Sequence, residues 1–122
     1  IMYTFSDTLI KTLAEARKIA ILTGAGISAE SGVATFRDPN GLWAKFRPEE
    51  LASMDGFLKN PTLVWEWYQA RREVIDRVKP NPGHLTLAAM QSWYEERGGV
   101  FTLITQNVDR LHQQAGSRNV LE

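Results

Sequence analysis

The stretch Ile19-Ala-Ile-Leu-Thr-Gly-Ala-Gly-Ile-Ser-Ala-Glu-Ser-Gly-Val-Ala-Thr-Phe-Arg37 decides the fold of this chain. It begins with an apolar run of the kind that forms a buried β-strand. At Gly24-Ala25-Gly26 two glycines let the backbone turn sharply and approach another molecule closely. We expect a helical turn to open at Ser28. A strand, a glycine turn and a helix N-terminus together direct free N–H groups at an anion. We therefore interpret the stretch as a phosphate-binding dinucleotide cradle.

The composition sets limits on function. The chain of 122 residues carries 14 basic and 14 acidic side chains, and its hydrophobic content is 43%, which predicts one globular domain. The neutral balance gives no general attraction to nucleic acid or to an anionic membrane. No apolar run reaches the roughly 18 residues of a membrane-spanning helix. Because cysteine is absent and the two histidines lack metal-ligand spacing, we expect no metal site in these residues. Since the sequence shows neither a membrane span nor an N-terminal signal pattern, we expect a cytoplasmic protein.

Three longer segments have helical patterns. The first is amphipathic, with Thr4 or Ser6 as N-cap, Arg17 and Lys18 at its C-terminal end, and apolar positions at Phe5, Leu9, Leu13 and Ala16. The other two begin at Asn60-Pro61 and Asn81-Pro82, since an N-cap followed by proline is a start signal. Their periodic positions are Val64, Trp67, Arg71, Val74 or Ile75, and Val78 in the second helix, and Leu85, Ala88, Ala89, Met90 and Trp93 in the third.

The order of elements predicts an α/β fold with a parallel sheet. A second apolar strand spans Val100 to Thr105, a short helix closed by Gly116 follows, and Val120 opens a third strand. Strands that alternate with helices in this way form parallel sheets with right-handed crossovers. The glycine turn and Gln106-Asn107-Val108-Asp109 should therefore meet at the carboxyl edge of the sheet, where open α/β sheets bind ligands.

The cradle differs from that of an ordinary dehydrogenase. Gly24-Ala-Gly-Ile-Ser-Ala29 matches the dinucleotide fingerprint in its form ending in alanine. The usual companion is an acidic residue about 20 positions on, at the end of the second strand. Here the second strand ends near Thr105, about 80 residues on. The absence of a Lys-Ser/Thr pair after the glycines also argues against a P-loop kinase or ATPase.

Several side chains have both a functional and a structural interpretation. Asn107 and Asp109 could hold a carboxamide or ribose hydroxyls, or Asp109 could simply cap the next helix. Tyr68 and Arg71 share a helix face and could bind a carboxylate, or Tyr68 packs and Arg71 is solvated.

The segment after the cradle is equally open to two interpretations. Arg37 could clamp a phosphate while Phe36 shields a reactive ring, or the two are a core aromatic and a surface arginine. The aromatic-rich loop that follows is either a lid that closes over a ligand or a packed surface loop. His84 and His112 are interpreted as structural residues.

Four linked motifs together resemble the sirtuin family of NAD-dependent protein deacylases. They stand in order over nearly the whole chain: Gly24-Ala-Gly-Ile-Ser28, Gly32-Val-Ala-Thr-Phe-Arg37, Thr105-Gln-Asn-Val-Asp109, and Leu111-His112 with Ala115-Gly116. The Tyr68-x-x-Arg71 feature resembles the class III branch, which is associated with removal of acidic acyl groups such as succinyl from lysine. Thr35, where many sirtuins carry aspartate, fits the same branch.

The resemblance implies a role for each motif. NAD would be bound by Gly24, Ala25, Gly26 and Ser28, by Phe36, Arg37 and Trp43 of a cofactor-binding loop, and by Gln106, Asn107 and Asp109 around the nicotinamide and ribose. Tyr68 and Arg71 would receive the distal carboxylate of an acyl-lysine. In the family the acyl oxygen attacks the nicotinamide ribose carbon, nicotinamide leaves, and the acyl group ends on ADP-ribose.

The resemblance also implies a partial domain. Residues 1–122 would form the first half of a Rossmann-like parallel sheet with a helical insertion at about 38–97. The cofactor-binding loop would lie at about 36–47, and the helices of the insertion at about 48–97. The catalytic histidine, the zinc module and the second half of the sheet would follow Glu122. We expect NAD as cofactor, zinc only in that other part, and acylated lysines and the remaining half of a sirtuin as partners. The alternative is a non-catalytic nucleotide-binding fragment that is inactive because it stops before the catalytic histidine.

Overall fold

Two parallel strands form the centre of the fold. The computed structural model describes residues 2–35 and 45–122, in which β1 spans Lys18–Thr23 and β2 spans Val100–Thr105. The strands pair in parallel, from Lys18 opposite Val100 to Thr23 opposite Thr105. A single parallel bridge joins Ile104 to Leu121 on the other side of β2, where the sequence predicts a third strand. The predicted α/β class with a parallel sheet is confirmed.

Seven α-helices accompany the strands within the described residues. Their bounds are α1 Asp7–Glu15, α2 Ala25–Ser28, α3 Pro48–Leu51, α4 Met54–Lys59, α5 Pro61–Arg77, α6 Pro82–Glu96 and α7 Leu111–Gln114. The predicted caps are confirmed, because the side chains of Ser6, Asn60 and Asn81 each accept a hydrogen bond from the first turn of their helix. Gly116, with a φ of +103°, closes α7. None of these helices combines the length and apolar character that crossing a bilayer requires.

The helical turn after the glycines begins at Ala25, three residues earlier than the Ser28 start predicted from the sequence. Gly24 is its N-cap and has an extended backbone, which orients the chain to start the helix at once. The turn continues into a 3-10 turn at Ala29–Ser31 that ends at Gly32, where φ is +98°. The N–H groups that lack intrahelical acceptors therefore lie at the glycine turn itself.

The core lies on one face of the sheet, beneath α6. Tyr94 from α6 packs with Phe101 and Leu103 from β2. The sequence pattern of α6 is misleading, because Leu85 and Trp93 lie on its more exposed side, at 52% and 38% exposure. Besides Tyr94, the buried side carries His84 and Gln91, two polar residues with partners inside the protein, and an apolar periodicity does not detect them.

The first helix also departs from expectation. None of the residues of α1 is buried, and Leu9 and Leu13 on its apolar face are 42% and 41% exposed. The helix ends at Glu15, and the prediction that Arg17 and Lys18 lie at its C-terminal end is wrong. The strand pairing takes those residues, because the Arg17 carbonyl accepts from the Val100 N–H at 2.8 Å and Lys18 begins β1.

Candidate functional site

A cavity of about 400 Å³ gathers most of the residues singled out in the sequence. Its wall includes Ala25 and Ser28 from α2, Tyr68 and Arg71 from α5, and the loop 106–109 that follows β2. It lies beside the carboxyl ends of β1 and β2, the edge at which parallel α/β sheets bind ligands. The topology therefore brings three sequence-distant motifs to one place.

The remaining predicted residues fall into two groups. Gly24 and Gly26 flank Ala25 in the turn and do not themselves line the cavity. Phe36, Arg37 and Trp43 lie outside the described residues, as does most of the predicted cofactor-binding loop. The sequence did not single out Ala52 and Val33, which complete the apolar part of the wall with Trp67.

Gly24 and Gly26 are small for different reasons. A Cβ on Gly24 would come within 2.6 Å of Nε2 of Gln106, so the end of that exposed side chain would have to move. At Gly26 none of the described residues comes within 4 Å of such a Cβ, and its φ is not positive. Neither packing nor backbone conformation within the described chain calls for glycine at that position. A glycine in such open space would allow another molecule to approach the backbone closely.

Ser28 is the centre of a buried hydrogen-bond network. Its hydroxyl donates to Oδ2 of Asp109 at 2.6 Å and lies 3.3 Å from Nε2 of His84. Nδ1 of His84 accepts from the backbone N–H of Asn81 at 3.1 Å, so the neutral imidazole carries its proton on Nε2. His84 therefore donates to Ser28, and Ser28 donates to Asp109.

Asp109 takes the capping role that the sequence offered, and its second carboxylate oxygen is bonded within the protein. Its Oδ1 accepts from the backbone N–H of Leu111 at 3.0 Å and so caps α7, while Oδ2 holds Ser28. The Asn107 amide nitrogen donates to the Gly24 carbonyl at 2.9 Å. Oδ1 of Asn107 has no hydrogen-bond partner among the described residues. The pair thus fixes the glycine turn and leaves an amide oxygen as an acceptor for a ligand.

The two histidines lie together, although the sequence suggested isolated structural roles. The His84 and His112 rings are 5.0 Å apart at an angle of 70°, and both are buried. Burial lowers the pKa of each imidazole, and the proximity of His84 lowers the pKa of His112 further. The Asp109 carboxylate opposes this lowering of the pKa at both histidines. The sequence signal for His84 is its place as the third residue of α6, because a side chain there can reach back to the backbone of the N-cap residue.

Arg71 and Tyr68 form the opposite wall of the cavity. The Arg71 guanidinium lies 5.4 Å from the centre of the Trp67 ring, and that ring contacts the Tyr68 ring edge-on at 4.5 Å. Arg71 is half-buried rather than solvated, and burial lowers its pKa, with Tyr68 and Asp109 opposing that effect. A guanidinium remains charged in proteins. This wall can therefore bind a carboxylate.

The match to known proteins covers most of the chain. The model of the Sir2 family matches residues 24–122. The NAD-dependent protein deacylase of Aquifex aeolicus strain VF5 is 58% identical over 104 residues, covering 85% of this chain and 42% of that protein. The mitochondrial NAD-dependent protein deacylase sirtuin-5 of Canis lupus familiaris is 49% identical over 112 residues, covering 92% of this chain and 36% of that protein.

A solved structure agrees with these relatives. The structure of a Sir2 homolog–NAD complex superposes with a TM-score of 0.80 at 49% identity, covering 96% of this chain and 44% of that one. The chain thus spans less than half the length of each of these proteins.

Proposed function

The chain belongs to the Sir2 family, and from that membership we propose that it forms the nicotinamide and acyl end of an NAD-dependent protein-lysine deacylase. One observation carries the proposal: a single cavity of about 400 Å³ is lined both by the Ser28–Asp109 network and by Tyr68 and Arg71. A cofactor at the glycine turn and an acyl group at α5 would therefore meet. The named relatives are NAD-dependent protein deacylases.

The residues present fit the dinucleotide. The N–H groups that open α2 and the open Cβ position of Gly26 suit a pyrophosphate. Oδ1 of Asn107 would accept from the nicotinamide carboxamide, while Ser28 and Asp109 hold the ribose side of the cavity. Bound NAD would supply a ribose carbon that accepts the acyl oxygen as nicotinamide leaves. The protein's part is to orient that carbon and exclude water.

The acyl wall suits an acidic acyl group. A half-buried guanidinium beside a phenol would bind the distal carboxylate of succinyl-lysine through charge-assisted hydrogen bonds. Acetyl-lysine lacks that carboxylate and would leave Arg71 without a ligand contact. We therefore propose desuccinylation as the preferred reaction.

The test uses the protein that contains this chain, supplied with NAD and either a succinylated or an acetylated peptide. We expect NAD-dependent release of nicotinamide and formation of acyl-ADP-ribose, detected by mass spectrometry, with succinyl turned over faster. Absence of NAD-dependent turnover of both peptides would contradict the proposal.

A second candidate function concerns the 122 residues as an isolated polypeptide. Neither of the two histidines lines the cavity, so these residues offer no imidazole base to a ligand bound there. We propose that this polypeptide alone is a non-catalytic nucleotide-binding segment. ADP-ribose binding without deacylation is the expected result, and turnover by the isolated polypeptide would contradict it.

A further inference from the structure

His112 is a buried polar residue that the proposed reaction does not use. Its Nε2 lies 2.8 Å from Oγ1 of Thr23, a residue 89 positions away in the sequence. Both side chains are buried, at 1% and 9% exposure, and neither lines the cavity. Any influence of His112 on a ligand must therefore pass through its neighbours.

Thr23 is the neighbour through which His112 can act on the cradle. It is the last residue of β1 and immediately precedes Gly24. Its carbonyl accepts from the Gln106 N–H at 3.2 Å, so β1 and the loop after β2 are already joined at this point. The bond from His112 adds α7 to that junction. It also fixes the side chain of Thr23, the residue after which the glycine turn begins.

The polarity of His112 has no packing explanation. Its Nδ1 is buried and has no hydrogen-bond partner among the described residues. Burying a polar nitrogen without a partner costs free energy that an apolar side chain of similar size would avoid. The bond to Thr23 is thus the hydrogen bond by which the imidazole offsets that cost.

His112 also contacts the other end of the cradle. Its ring packs edge-on against His84, which donates to Ser28. It directly follows Leu111, whose N–H is held by Asp109. The first turn of α7 therefore contacts the elements on both sides of the glycine turn.

We infer that His112 is a positioning residue for the cofactor cradle, which it holds in place for NAD through the hydroxyl of Thr23. This inference rests on the proposed function, because it takes NAD as the ligand of the glycine turn. It assigns no proton transfer to His112.

The experiment measures the NAD dissociation constant by calorimetry, and the KM values for NAD and for the acyl peptide, in the protein that contains this chain. The amide nitrogen of glutamine lies as many bonds from Cβ as Nε2 of histidine, whereas that of asparagine matches Nδ1. His112→Gln should therefore keep the contact with Thr23, and His112→Asn should lose it. Thr23→Ser and Thr23→Val form the matching pair on the other partner.

We expect His112→Asn and Thr23→Val each to weaken NAD binding about tenfold, the equivalent of one buried hydrogen bond. His112→Gln and Thr23→Ser should stay within about threefold of the unaltered protein, and the peptide KM should not change. The Thr23→Val/His112→Asn double variant should be no worse than either single variant, because both remove the same bond.

Equal NAD affinity of the Asn and Gln variants, additive losses, or a matching rise in the peptide KM would overturn the inference. If His112→Asn does not fold, Thr23→Val and Thr23→Ser give the same comparison with the imidazole left in place. An unaltered protein that neither binds NAD nor deacylates refutes the proposed function itself. An active enzyme whose NAD affinity is indifferent to these substitutions refutes only the role of His112.

Discussion

The two walls of the cavity are built in opposite ways. At the strand edge, Ser28 and Asp109 are almost fully buried, and their oxygens are bonded to other parts of the chain. On α5, Tyr68 is 45% exposed. The Tyr68 ring and the Arg71 guanidinium both contact the ring of Trp67. The first wall is rigid because each group is held from several elements. The second consists of side chains of a single helix.

This difference indicates a division of labour. A wall whose hydrogen bonds are already made costs no reorganisation when a ligand binds, which suits a cofactor common to every substrate. A wall of long side chains on one helix can be changed without disturbing the sheet. Substitutions at the strand edge should therefore affect all substrates alike, and those on α5 should separate one substrate from another.

The largest effect is expected for Asp109→Asn in the protein that contains this chain. The amide cannot accept from both Ser28 and the Leu111 N–H, so a buried donor loses its partner at the centre of the network. We expect kcat/KM to fall by between about tenfold and about a hundredfold on succinylated and acetylated peptides alike, since bonds to charged groups contribute about 1.5–3 kcal/mol. Asp76→Asn, an exposed carboxylate on α5, is the matched control. A loss confined to one peptide would contradict the expectation that strand-edge substitutions affect all substrates alike.

Arg71→Met should have a comparable effect on one substrate only. Methionine retains much of the length of the side chain and removes the charge that, in the proposed function, would face the acyl carboxylate. We expect desuccinylation to fall by up to about a hundredfold and deacetylation to stay within about threefold, measured as kcat/KM for each peptide. Arg72→Met, an exposed neighbour on the same helix, controls for the change of residue type. Equal losses on the two peptides would remove the acyl-binding role from Arg71.

Gly26→Ala should weaken NAD binding without changing stability. The added Cβ enters space that no described residue occupies within 4 Å, so the thermal unfolding midpoint should not change. NAD binding should weaken by about tenfold, because the Cβ would stand where, in the proposed function, the ligand approaches the backbone. At Gly24→Ala the Cβ meets the end of the flexible, exposed Gln106 side chain, so that variant should displace Gln106 with little loss of stability. Unchanged NAD affinity in Gly26→Ala would show that no ligand lies there.

The parts of the fold that sequence reasoning could predict depend on local signals. The bounds of β2 follow from a run of β-forming residues between a glycine pair and a polar loop. The starts of α5 and α6 follow from Asn-Pro pairs, in which the cap and the proline act within one turn. Parallel pairing then follows from the order of elements, and it brings the glycine turn to the loop after β2.

The unpredicted parts depend on contacts between distant residues. The buried side of α6 carries His84 and Gln91, whose partners are Ser28 and the backbone of Arg118. The pairing of His112 with Thr23 joins residues from opposite ends of the chain, and neither has a local pattern that reveals the other. Periodicity records apolar burial, so it overlooks polar residues that are buried because a distant partner satisfies them.

The smallest effect should come from titration of the two buried histidines. Burial lowers the pKa of His84 and His112 in the folded chain, whereas in the unfolded chain a histidine titrates near about 6.5. Below that pH the unfolded state binds more protons, so stability is retained above it and falls as the pH drops toward the lowered folded-state pKa values. Urea unfolding of the protein that contains this chain should show this decline as the pH is lowered from about 6.5. His112→Gln should reduce its slope, because one titrating group is gone while the contact with Thr23 is kept. An unchanged slope would mean that His112 is not held neutral, and the strand-edge wall would then be less rigid than its hydrogen bonds indicate.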